Sequence, residues 1–109
     1  MCYFRVLFSA PVTSVKLNVS DDDHLTVGDV ISCLANTGYP PVSYQWQQYL
    51  NKSWRDVIGD DDDGSKITLS SRGIKRLRCV AYNVVGNKTH RITSDKVTLY
   101  VGVEKGKCF

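Results

Sequence analysis

The chain has 109 residues, of which 42% are hydrophobic and 23% charged, and its formal net charge is +3. That length suits one domain with a small core. The weak charge, without any Lys/Arg-rich run, speaks against a nucleic-acid or membrane-surface partner, and no stretch approaches the ~20 apolar residues that span a bilayer.

Met1 to Ala10 is apolar but short, with Arg5 inside it and no basic residue ahead of its apolar part. It makes a poor signal peptide. Residues 1–12 are read as a truncated signal or the end of a preceding segment. From Thr13 to Val19 the apolar residues alternate (Val15, Leu17, Val19), the period of a half-buried strand. Ser20 to His24 reads as a turn, and Val27-Gly28-Asp29 leads into a second strand over about 29–36. Pro40 and Pro41 make 38–41 a rigid loop, because proline cannot donate to a central ladder. A strand over about 43–49, a turn at Asn51-Lys52-Ser53 and a short strand over 54–58 follow.

Gly59 to Ser65 is an acidic loop containing four consecutive aspartates, Asp60 to Asp63. A strand at 66–70, a turn at 71–75 and a strand at 76–83 come next. The last strand runs over about 88–101, with a bulge expected at Thr93-Ser94-Asp95. Residues 102–109 read as a linker tail, so residues 13–101 form the domain.

Three of these strands aim at a common core. With Cys33 inward, Ile31 and Ala35 turn inward too. With Trp46 inward, Tyr44 follows. With Cys79 inward, Leu77 and Ala81 follow. The pattern resembles the immunoglobulin fold, in which a Trp on strand C packs a disulfide joining strands B and F. The stretch Cys79-Val80-Ala81-Tyr82-Asn83-Val84-Val85-Gly86 resembles the F–G hairpin of adhesion-type (C2-set and I-set) domains. The thirty-two residues between Trp46 and Cys79 are too few for the extra strands of a variable-type domain.

The resemblance implies an all-β sandwich of two antiparallel sheets, A-B-E against G-F-C-C′, C2-type in preference to I-type. It also implies a Cys33–Cys79 disulfide, which would stabilise the fold by about 4 kcal/mol on chain-entropy grounds. One departure stands out. The family's Tyr two residues before the second Cys, whose hydroxyl closes the E–F corner, is Leu77 here.

Asn18, Asn51 and Asn87 each open an Asn-x-Ser/Thr acceptor, and all three fall at predicted strand ends or turns. Together with a disulfide they point to an extracellular, secreted or ectodomain setting. Cys2 and Cys108 are read as bonding to flanking segments or another chain, or as free thiols. The acidic loop suggests Ca²⁺, but an EF-hand alignment on Gly64 puts Gly59 first and Ser70 last, where a bidentate Glu is needed. A solvated turn is the better reading. His24 and His90 lack metal-ligand spacing, and no nucleophile elbow, phosphate loop or paired-carboxylate cleft is present. No metal, cofactor or catalytic residue is expected.

The faces opposite Trp46 and Cys79 should present Gln45, Gln47, Tyr49, Arg78, Val80 and Tyr82, among them the Tyr and Arg favoured at protein interfaces. The expected role is protein recognition or adhesion, with self or another receptor or ligand as partner. The alternative is a structural spacer in a tandem array, outside the cell or of the muscle-filament kind within it.

Overall fold

The computed structural model describes residues 9–103, and all their regular structure is β. Cys2 and Cys108 lie outside the described residues. The nine described strands are β1 (Val15–Leu17), β2 (His24–Thr26), β3 (Val30–Ala35), β4 (Ser43–Leu50), β5 (Ser53–Val57), β6 (Lys66–Thr68), β7 (Gly73–Val85), β8 (Lys88–Thr93) and β9 (Val97–Gly102). They form a three-stranded sheet, β1-β3-β6, and a six-stranded sheet ordered β2-β9-β7-β4-β5, in which β8 also pairs β7. This is the predicted A-B-E sheet facing G-F-C-C′, with one added strand.

Alternation decides which side chains enter the core. On β3, Ile31 and Cys33 are buried while Leu34 is 69% exposed. On β4 and β7, Tyr44, Trp46, Leu77, Cys79 and Ala81 point inward and are buried. Ile67, Leu69, Val97, Leu99 and Val101 complete the layer between the sheets. Cys33 and Cys79 are bonded across that layer with Cα atoms 6.5 Å apart. Trp46 lies fully buried in the same cluster. Its indole N–H would be costly to bury unpaired, and it donates to the Ser65 carbonyl at 3.0 Å. The Cys33 N–H donates to the same carbonyl at 2.9 Å.

The structure differs from the sequence-based expectation in three places. Residues 24–26, which fall between the turn expected at 20–24, whose last residue they include, and the lead-in expected at 27–29, form β2, which runs parallel to β9 in the register His24↔Tyr100. No local pattern announces so short a strand whose partner lies far along the chain. The turn before it is made by carboxylates: Asp23 accepts from the Ser20 N–H at 2.8 Å, and Asp21 from the Thr98 N–H at 2.7 Å.

The second difference is that the single strand expected over 88–101 is two, β8 and β9. At the break, Ser94 N–H donates to the Cys79 carbonyl at 2.8 Å and the Cys79 N–H donates to Ser94 Oγ at 2.9 Å. A hydroxyl thus stands in for a ladder carbonyl and lets the strand step sideways. Because β9 pairs residues 73–77, β7 starts at Gly73 rather than at 76.

Thirdly, the first strand is shorter than 13–19. Beyond Leu17 its ladder is finished by Asn18, whose N–H donates to the Ser32 carbonyl and whose Oδ1 accepts from Ser32 N–H at 2.8 Å. Leu77 fills its site in the core without a hydroxyl. The tyrosine hydroxyl that does bridge strands is that of Tyr44, which accepts from the Ala35 N–H at 3.0 Å.

Asn83 is buried, and its side chain holds the segment ahead of β1 against the loop between β3 and β4. Its Oδ1 accepts from Val12 N–H at 3.1 Å, and its Nδ2 donates to the carbonyls of Ala10 at 3.0 Å and Pro40 at 3.1 Å. Ala10 and Tyr39 exchange two backbone bonds of 2.8 Å beside it. Val12 is part of the buried core, so the packing begins ahead of residue 13. Asn83→Ala leaves three backbone groups without that partner. A loss of about 2–3 kcal/mol is expected in urea unfolding, while an unchanged midpoint would contradict the clamp.

Asn51 and Lys52 form the two-residue turn between β4 and β5, with φ of 51° and 67°. Two left-handed residues define a type I′ turn, which favours Gly at its second position. A left-handed residue with a Cβ costs more than Gly does, even after the entropy that Gly loses. Lys52→Gly should therefore raise unfolding stability by about 0.5–1 kcal/mol, read from the denaturation midpoint.

Candidate functional site

The hairpin turns fix which residues share the outer face of the six-stranded sheet. The Asn51-Lys52 turn places Tyr49 opposite Trp54 and Gln47 opposite Asp56. The Gly86-Asn87 turn between β7 and β8 places Tyr82 opposite Arg91. Between β4 and β7, Gln47 lies opposite Arg78 and Gln45 opposite Val80. Directly opposed residues lie on one face, close enough to touch. The expected residues Gln45, Gln47, Tyr49, Arg78, Val80 and Tyr82 thus share a face with Trp54, Asp56 and Arg91.

Contacts order this face. Gln47 Nε2 donates to Asp56 Oδ1 at 3.0 Å, which turns the amide oxygen the other way, onto Arg78 Nε–H at 2.8 Å. The Arg78 guanidinium carbon stands 4.2 Å from the Trp54 ring centre. Trp54 in turn meets Tyr49, with centroids 5.3 Å apart and planes tilted by 59°. Arg91 lies over Tyr82 at 5.6 Å. Gln45 is tied down separately, its Nε2 donating to the carbonyls of Trp46 and Val57, each at 2.9 Å.

Val80 is covered by its neighbours rather than presented to solvent, at 8% exposure. Two shallow hollows flank the Gln47–Arg78 pair. One is lined by Tyr49, Trp54, Arg76 and Lys96. The other is lined by Gln45, Gln47, Asp56, Val80, Tyr82 and Arg91.

Trp54, Asp56, Arg76, Arg91 and Lys96 are site residues that the sequence reading did not place. The first two, and Arg91, follow from the register that each two-residue turn imposes. Arg76 follows from Arg78 by alternation. Lys96 depends on the break between β8 and β9.

The acidic loop is organised by its own hydrogen bonds. Asp61 accepts from Ser65 Oγ at 2.9 Å and from Lys66 N–H at 3.2 Å, Asp63 from Ser65 N–H at 3.0 Å, and Asp60 from Thr68 Oγ1 at 2.6 Å. Gly64, at φ 79°, packs so closely that a Cβ there would come within 2.3 Å of the Tyr44 carbonyl oxygen. Among the described residues, no group of three or more His, Cys, Asp or Glu side chains is arranged to hold a metal ion.

Asn18, Asn51 and Asn87 are all exposed, the latter two in hairpin turns. The Asn18 oxygen is engaged by Ser32. No helix of the described residues is long and apolar enough to cross a membrane.

Two facing sheets, antiparallel apart from the β2–β9 pair and pinned by Cys33–Cys79 over Trp46, make this an immunoglobulin-like β-sandwich. No family model and no curated protein matches the chain. Among solved structures, it is similar to the tandem Ig repeats of Dlar, with a TM-score of 0.50 and 24% sequence identity. The match covers 86% of this chain and 51% of that one, so the chain spans about half its length.

Partial desolvation of Asp61 pushes its pKa up and is the largest single influence. The hydrogen bonds donated by Ser65 Oγ and the Lys66 backbone N–H, with a smaller one from its own N–H, outweigh it, and the net pKa is lowered from 3.8. A carboxyl whose folded pKa lies below its unfolded value stabilises fully above the unfolded value and loses that contribution as pH falls through the folded one. Asp61→Asn should therefore melt below the native chain at neutral pH. The gap should close as the pH is taken below 3.8 in thermal melts; a gap that widens would reverse the sign.

Proposed function

We propose that the chain is an extracellular immunoglobulin-like domain of a secreted or cell-surface glycoprotein. It acts in protein–protein recognition or adhesion and carries no catalysis. The outer face of the six-stranded sheet is its docking surface, with Gln45, Gln47, Tyr49, Arg78 and Tyr82 in contact with the partner, a second copy of the chain or another receptor or ligand. One observation carries this: Arg78 is held in place by Gln47 and Trp54 within an aromatic cluster. Rigid aromatic and Arg anchors are what protein interfaces concentrate, because little side-chain freedom remains to be lost on binding. Sugars on Asn51 and Asn87 would sit at the sheet's two ends and leave this face open. Asn18 would carry a third.

A spacer role in a tandem array is the second reading. It is favoured by the ends of the described chain, which leave from opposite poles. Ala10 is bridged to Tyr39 in the β3–β4 loop, and Gly102 pairs Thr26 at the opposite end of the sheet.

An array of extracellular proteins that includes this chain, probed with the multimerised domain, tests both. Binding is expected, and Arg78→Ala with Tyr82→Ala should weaken it by about 30-fold or more in a chain that still unfolds cooperatively. Binding indifferent to that pair rejects the face. No binder, together with reduced Cys33 and Cys79 and unmodified Asn18, Asn51 and Asn87 in cell-made protein, favours an intracellular spacer.

A further inference from the structure

We infer that Arg78 is a seat for a carboxylate carried by an acidic segment of a partner protein; the inference rests on the docking face proposed above. Arg78 sits half-buried on β7, and its Nε–H is already donated to Gln47. Gln47 cannot turn its amide without losing Asp56. One face of the guanidinium is stacked on Trp54. Among the described residues, what remains is the pair of Nη groups, a planar fork that matches a carboxylate and is fixed before any ligand arrives.

The surrounding charge has the complementary sign. Arg76 and Lys96 line the hollow with Tyr49 and Trp54, and Arg91 lines the hollow on the other side of Gln47. Among the described residues, Asp56 is the one acid lining either hollow, and its Oδ1 is engaged by Gln47. Asp95 lines a different groove, against β1.

A protein acid fits this better than a long polyanion. The cations are clustered around two aromatic rings instead of strung along a track, and those rings offer apolar surface that a peptide's own side chains can cover. Clustered positive charge also steers an acidic segment to the face and speeds its arrival at low salt.

The probe is an end-blocked peptide of alternating Glu and Gly, titrated into the isotope-labelled chain. Its Gln counterpart, a heparin oligosaccharide and inorganic phosphate serve as comparisons. The Glu peptide should shift the side-chain N–H signals of Arg78 and Trp54 to saturation, and the Gln peptide should not. Arg78→Lys keeps the charge but loses the fork, and should weaken the Glu peptide about tenfold with unchanged melting, whereas Arg72→Lys in the turn before β7 should leave it unaltered. Equal binding by Arg78→Lys, equal binding of the Gln peptide, or binding of the oligosaccharide or phosphate alone would overturn the inference.

The two proposals can fail separately. A protein partner that needs Arg78 and Tyr82 but is not displaced by the Glu peptide keeps the docking face and overturns the carboxylate seat. Arg78-dependent peptide binding in a chain with no protein partner supports the seat and removes the docking role.

Discussion

The bond between Cys33 and Cys79 is the constraint on which the other features of this domain depend. It joins β3 of the small sheet to β7 of the large one, across 46 residues of sequence. Closing that loop disfavours the unfolded chain by about 4 kcal/mol on chain-entropy grounds, against a typical domain stability of about 5–15 kcal/mol. Trp46 fills the space beside the sulfurs, and the Ser65 carbonyl receives both its indole N–H and the Cys33 N–H. One carbonyl therefore ties the core tryptophan, the disulfide strand and the end of the acidic loop together. Replacing any of the three would disturb the other two.

That pin also sets the outer surface. Successive side chains of a strand alternate, so fixing Trp46 and Cys79 inward leaves Gln47 and Arg78 no choice but outward. Their partners across the sheet are then fixed by register, and a chain of contacts from Asp56 through Gln47 to Arg78 and Trp54 follows. The rigidity of the face is inherited from the core beneath it. Asn83 plays a comparable part at one pole, where a single buried amide holds the incoming segment and the proline loop. The direction in which the chain enters the domain is thereby coupled to β7, the strand that carries Cys79 and Arg78.

Two acidic runs, Asp21 to Asp23 and Asp60 to Asp63, are organised by hydrogen bonds to their own surroundings. Asp21 and Asp23 build the turn that delivers β2 to the edge of β9. Asp60, Asp61 and Asp63 tie the loop between β5 and β6 to itself and to β6. In each case a short carboxylate accepts from nearby backbone N–H or hydroxyl groups that a loop would otherwise leave to water, the usual reason for aspartate in turns.

The sequence by itself determined the facing of Ile31, Cys33, Trp46, Leu77, Cys79 and Ala81, the strand class, and that the chain turns at 51–53 and again between 83 and 88; the structure tightened both to two-residue turns. These depend on a period of two and on turn chemistry, which act between neighbours in the chain. Only the tertiary structure decided that 24–26 would pair in parallel with β9, that the last strand would split at Ser94, that Asn83 would bridge Val12 to Pro40, and that Arg78 would stack on Trp54. Each of those joins residues far apart in sequence, or turns on where a side chain's hydrogen bond goes. The choice belongs to the packed arrangement of strands, because the partner is defined only once the sheets have closed on each other.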